Sequence, residues 1–77
     1  MSCEQACMLV GKALDALTAE DVKRATKLTK HALLVCEGAC DNPRLCRAID
    51  LALDAFLDSD IELATTMLNG AQGICQG

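Results

Sequence analysis

Six cysteines in a chain of 77 residues are the feature that most limits how this sequence can fold. A chain of this length rarely gains more than about 3–5 kcal/mol from apolar burial alone, so small domains are usually stabilised by disulfides, a metal or self-association. Large aromatic anchors are nearly absent here, with one Phe, no Tyr and no Trp. The cysteines are therefore expected to stabilise the fold.

Capping signals divide the chain into four helices, and no segment alternates as a strand does. The predicted helix starts are Ser2, Thr18 with Asp21, Asn42 with Pro43, and the turn at residues 58–60. Each helix carries an apolar stripe at steps of three and four, which predicts its buried face. The stripes are Cys3, Cys7, Val10, Leu14 and Leu17; Val22, Ala25, Ala32, Cys36 and Ala39, flanked by Leu28 and Val35; Cys46, Ile49, Leu53 and Phe56; and Ile61, Ala64, Leu68, Ala71 and Cys75.

The chain also repeats itself at an offset of 39 residues. Residues 7–38 align without gaps on residues 46–77, and 11 of these 32 pairs are identical. A repeat of this length with a turn at its centre is typical of a helical hairpin. The prediction is an all-α single domain, 1–77, in which two antiparallel hairpins (2–40 and 42–77) form a four-helix bundle.

The cysteine spacing fits that hairpin unit. Residues at one level of an antiparallel hairpin have numbers with a constant sum, and both Cys3 with Cys40 and Cys7 with Cys36 share the sum 43. Cys46 with Cys75 is the repeat equivalent of the inner pair. This predicts six sulfurs at one end of the bundle, bridged as Cys3–Cys40, Cys7–Cys36 and Cys46–Cys75. Other connectivities, 15 in all, stay open at this point.

Reduced thiols would give a different chemistry. Cys7, Cys36, Cys46 and Cys75 come one from each helix, and four thiolates so placed would suit Zn or an iron–sulfur cluster. Six clustered thiols would also suit Cu(I), a soft ion. The sequence has no C-x-x-C pair, which favours disulfides and leaves metal binding as the alternative. A thiol redox protein is the third hypothesis.

Two known groups of proteins have related cysteine layouts. Residues 3–40, with Cys3-x-x-x-Cys7 and Cys36-x-x-x-Cys40, resemble the twin CX3C helical hairpins of small mitochondrial intermembrane-space chaperones and of plant α-hairpinin peptides. That resemblance covers half of the chain and rests on spacing. The six-cysteine helical layout also resembles saposin-like proteins, whose outer pairing would need a cysteine beyond Cys75.

The fourth helix indicates an interaction surface. No charged residue occurs from position 63 to position 77, and a second apolar stripe runs through Leu63, Met67, Gly70 and Ile74. A stripe that the core does not use is typical of an interface. The expected partner is a protein, in first place a second copy in a homodimer, or an apolar ligand.

Two charged ridges are candidates to orient two hairpins or two subunits. One is a basic ridge on the second helix (Lys23, Lys27 and Lys30), and the other is an acidic ridge on the third (Asp50, Asp54 and Asp58).

Composition argues against several other functions. A net charge of -4 without an aromatic platform does not favour nucleic-acid binding, and no apolar run approaches the roughly 20 residues of a membrane span. The N-terminus shows no secretory signal. The single histidine, His31, reads as a surface residue, and no catalytic residue is predicted. The expected protein is a non-enzymatic, disulfide-stapled binding module without a cofactor. It would work in an oxidising compartment (secreted, periplasmic or intermembrane space), or in the cytoplasm if it binds metal.

Overall fold

The computed structural model describes residues 2–76, which form four helices in an antiparallel bundle. The helices are α1 (Ser2–Thr18), α2 (Val22–Ala39), α3 (Pro43–Leu57) and α4 (Ile61–Gln76). Each helix packs mainly on its two neighbours in the cyclic order α1, α2, α3, α4. The predicted all-α bundle of two helical hairpins with its cysteines at one end is confirmed. The side chain of Ser2, expected to cap the first helix, lies outside the described part.

The second helix begins later than the sequence predicted. Thr18 is the last residue of α1, and its Oγ1 donates to the carbonyl of Leu14 at 3.1 Å. The N-cap of α2 is Asp21, whose Oδ1 accepts from the backbone N–H of Arg24 at 3.1 Å. The Thr18 cap was wrong because α1 continues through Thr18 and the chain reverses only at Glu20, which leaves Asp21 as the acceptor that begins α2.

The two hairpin turns are built alike. The turn between α1 and α2 places Glu20 at φ 61°, and the turn between α3 and α4 places Ser59, 39 residues later, at φ 62°. Asp60 caps the start of α4 as Asp21 caps α2, because its Oδ1 accepts from the N–H of Leu63 at 3.1 Å. The left-handed residue reverses the chain in very few residues, so both hairpins are tight.

The connection between the hairpins follows the prediction. Asn42 caps α3 by accepting from the N–H of Leu45 at 3.2 Å, and Pro43 is the first residue of the helix. Proline fits there because its missing N–H would have no helical partner and its φ is already helical.

The buried faces are more alanine-rich than the predicted stripes. Leu14, Leu17, Leu53 and Ile61 are half-buried at the edge of the core, and Val22 and Ala39 are exposed. Helices that approach closely need small side chains along the contact line, and larger residues then flank that line. The buried residues are Ala6, Leu9, Val10, Ala13, Ala16, Ala25, Thr29, Ala32, Cys36, Cys40, Leu45, Ile49, Ala52, Ala55, Phe56, Ala64, Leu68 and Ala71.

Candidate functional site

All six cysteines are bridged at one end of the bundle. The three disulfides are Cys3–Cys40, with a Cα–Cα distance of 4.8 Å, Cys7–Cys75, with 5.9 Å, and Cys36–Cys46, with 5.6 Å. These distances lie in the ordinary range for a disulfide. The expectation that disulfides staple this small helical module is confirmed, and so is the outer pair Cys3–Cys40.

The predicted pairs Cys7–Cys36 and Cys46–Cys75 were wrong. The constant sum places these cysteines at one level along the bundle, but it does not say which neighbouring helix each side chain faces. Cys3 and Cys7 are four residues apart, a rotation of about 40° beyond one full turn. Cys3 bridges to α2, whereas Cys7 bridges to α4. In the same way Cys36 bridges forward to α3 rather than back to α1.

The observed disulfides link the helix pairs that contact each other least. Helix contacts within each hairpin are more extensive than the α1–α4 and α2–α3 contacts between hairpins. Cys7–Cys75 links α1 to α4, and Cys36–Cys46 links α2 to α3. Two of the three bridges therefore hold the hairpins to each other, and α3 and α4 share none.

The alternative metal site depended on four free thiolates, one from each helix. Those cysteines, Cys7, Cys36, Cys46 and Cys75, are paired with one another in two bridges, and a disulfide sulfur is not a thiolate ligand. Within residues 2–76, no group of three or more His, Cys, Asp or Glu side chains is placed to hold a metal ion.

The second apolar stripe of α4 is accessible at every position. Leu63 is 45% exposed, Met67 and Ile74 are half-buried, and Gly70 is exposed. A Cβ added at Gly70 would meet no atom within 4 Å, so the surface is open at that point. The structure thus leaves the predicted interface residues available to a partner.

Residues of α3 complete this surface and were missed by the sequence reasoning. Ala48 and Leu51 face Met67, Gly70 and Ile74 across an open groove of about 430 Å³. Leu51 is 41% exposed. Arg44 and Arg47 line the same groove and are exposed. We call the surface formed by Arg44, Arg47, Ala48, Leu51, Met67, Gly70 and Ile74 the α3–α4 groove, and Leu63 continues its α4 side by one turn.

A pattern in α3 could have indicated these residues. Arg44, Arg47, Ala48 and Leu51 recur at helical steps of three, one and three, which places them on one flank next to the core positions. The neutral stripe of α4 indicates only one side of the groove, because a groove is formed by two helices.

The groove between α1 and α4 has a different chemistry. It has a similar volume, but its lining includes the polar side chains of Asp15, Thr18, Thr65, Asn69 and Gln72. Such a surface is well solvated and gains little by being covered. The α3–α4 groove is the more apolar of the two, and it is the candidate site.

The other residues singled out by the sequence lie on the outside. His31 is exposed on α2, and so are the three lysines of the basic ridge. The acidic ridge of α3 is exposed along its whole length. These charges surround the bundle and take no part in its core.

The chain matches no protein-family model, no curated protein and no solved structure. Among the described residues, none of the helices has the length and apolar character that crossing a membrane requires.

Proposed function

We propose that this protein is a non-enzymatic binding module, in which a disulfide-stapled bundle presents the α3–α4 groove to a protein or another apolar partner. The observation that carries the proposal is the groove itself: Leu51, Met67 and Ile74 lie beside an open Gly70, and no helix within residues 2–76 covers them. Covering apolar surface removes it from water and contributes about 25 cal/mol per Å².

The frame supports this role because it holds the groove in one shape. The bridges Cys7–Cys75 and Cys36–Cys46 tie both edges of the second hairpin to the first. A surface that is already ordered loses less conformational entropy when a partner binds, so more of the contact energy appears as affinity. Disulfides persist in oxidising surroundings, and the proposed location is therefore a secreted, periplasmic or intermembrane-space one.

Accessibility of the groove can be tested with Nile red, an uncharged apolar fluorophore. The wild-type protein at about 1 µM, well below the concentration at which weak dimers form, is expected to enhance and blue-shift the emission. The change Met67→Lys places a charge in the groove and should weaken probe binding at least about tenfold. The matched control is Leu34→Lys, since Leu34 is 61% exposed on α2, away from the groove.

A second variant keeps the test decisive if Met67→Lys unfolds the protein. Gly70→Leu extends a side chain into open space, so the bundle should keep its helical circular dichroism while the groove is filled. Equal probe binding by the wild type, Gly70→Leu and Leu34→Lys would reject the groove as the binding surface.

The presence of the three disulfides can be measured directly from the mass of the intact protein. Each bridge removes two hydrogens, so the intact protein should weigh about 6 Da less before reduction than after it. A full-length protein isolated with six free thiols would contradict the proposal and favour thiol or metal chemistry instead.

A further inference from the structure

The exposed face of α3 has a charge pattern that is complementary to itself. Arg44, Arg47, Leu51, Asp54 and Asp58 recur at alternating steps of three and four, which places them along one side of the helix. All five are exposed. The face is thus basic at its N-terminal end, apolar at its centre and acidic at its C-terminal end.

When the helix is turned end for end about Leu51, the two basic positions fall on the two acidic positions. Arg44 and Asp58 lie seven residues on either side of Leu51, or about 10 Å along the helix at 1.5 Å per residue. Arg47 and Asp54 lie four and three residues from the same centre. Two copies of α3 crossing antiparallel at Leu51 would therefore bring each basic end beside the acidic end of the other.

We propose, on the basis of the binding surface proposed above, that the partner at this surface is a second copy of the chain, related by a twofold axis that passes beside Leu51. A twofold interface uses the same patch on both subunits and requires that patch to be self-complementary. The two arginines are the only basic residues of the second hairpin, and both lie on this face.

The apolar part of the interface comes from the α3–α4 groove. Leu51 of each copy packs near the axis, and Met67 beside it adapts to irregular contacts because its side chain is flexible. We expect an interface in the class of weak ones, below about 1,200 Å² in total, because Leu51, Met67 and Ile74 are the large apolar side chains that line the groove. The expected dissociation constant is between about 10 µM and 1 mM.

The test is a pair of charge-reversed proteins, each the full oxidised chain. In the acidic variant, Arg44→Glu with Arg47→Glu, both ends of α3 are negative, and in the basic variant, Asp54→Lys with Asp58→Lys, both ends are positive. Each alone should repel its own copy and weaken self-association at least tenfold. Mixed at equal concentration, the two variants should form a heterodimer, because opposite charges then meet at both ends.

Sedimentation equilibrium up to about 1 mM protein measures all of these states. The control for the acidic variant, Lys27→Glu with Lys30→Glu, makes the same change in net charge on α2 and should dimerise as the wild type does. A wild type that stays monomeric at this concentration, or variants that fail to form the heterodimer, would overturn the twofold dimer. If the monomeric wild type still binds Nile red through Met67, the groove remains a binding surface and only the second copy is rejected.

Discussion

The two hairpins share one kind of turn, yet they are closed by different means. The first hairpin is closed by the Cys3–Cys40 bridge, and its largest fully buried side chains are Val10, Thr29 and Cys36. The second hairpin has no internal bridge, and its largest fully buried side chains are Leu45, Ile49 and Leu68. A covalent link thus closes the hairpin whose fully buried side chains are smaller, and bulkier packing closes the other.

The outer surfaces of the hairpins differ as well. Residues 1–38 carry five basic and five acidic side chains, whereas residues 39–77 carry two and six. The hairpin with the internal bridge has a mixed surface, and the hairpin without it carries the apolar groove. The second hairpin is thus the more specialised part, held on the first by Cys7–Cys75 and Cys36–Cys46.

The largest expected effect is that of reducing all three bridges. Small domains that lose their disulfides commonly lose several kcal/mol and fail to stay folded, and the bridges here hold the two hairpins to each other as well as α1 to α2. The helical signal of the reduced, alkylated protein should fall and its thermal transition should disappear. A reduced protein that melts within a few degrees of the oxidised one would mean that packing alone closes both hairpins.

Removing one bridge at a time ranks their contributions. The sequence separations are 68 for Cys7–Cys75, 37 for Cys3–Cys40 and 10 for Cys36–Cys46. Taken alone, these loops correspond to stabilisations of about 4.4, 3.8 and 2.7 kcal/mol in the chain-entropy relation. With Cys3–Cys40 intact, however, the loop that Cys7–Cys75 closes is shortened to nearly the length of the Cys3–Cys40 loop. In double Cys→Ala variants studied by urea denaturation, the loss of Cys36–Cys46 should therefore cost least, and the losses of the other two bridges should cost about the same. A reversed order would show that strain or local packing outweighs loop closure.

One pair of equivalent buried positions tests whether the second hairpin has the larger core. Leu68 and Thr29 are 39 residues apart and both fully buried. Leu68→Ala should cost about 3 kcal/mol because it leaves a cavity in the second hairpin. Thr29→Ala should cost about 1 kcal/mol, since it removes a methyl group and the hydroxyl that donates to the carbonyl of Ala25. Equal costs in urea denaturation would remove the contrast between the two cores.

The smallest effect is expected where the hairpins are alike. Leu14 and Leu53 are equivalent in the repeat and both half-buried. Leu→Ala at either position should cost a similar 1–2 kcal/mol, roughly the value for partial burial. Unequal values from the same denaturation experiment would show that the hairpins differ at their edges as well as in their cores.

Much of the fold could be predicted because its signals are local. The caps Asp21, Asn42 and Asp60 each hold the next helix through a backbone bond three residues away, and such contacts depend on neighbouring residues alone. The Thr18 cap failed for an equally local reason, since α1 continues through Thr18 and the chain reverses only at Glu20.

The candidate site was only half predictable. The neutral stripe from Leu63 to Ile74 is visible in the sequence, but Leu51 and the two arginines join it only because α3 lies beside α4 at the right rotation. A stripe on one helix shows that a surface is apolar. It does not show which residues of a neighbouring helix share the surface.

By itself, the sequence determined the four helices, the repeat and the gathering of six cysteines at one end, because residue spacing sets the level of each side chain along an antiparallel hairpin. Tertiary structure alone decided that Cys7 bonds to Cys75 and Cys36 to Cys46. Neighbouring helices on both sides offer a partner at the same level, and the choice depends on how far each helix is rotated about its axis. That rotation is set by the alanine contact lines of the whole bundle, which no single segment contains.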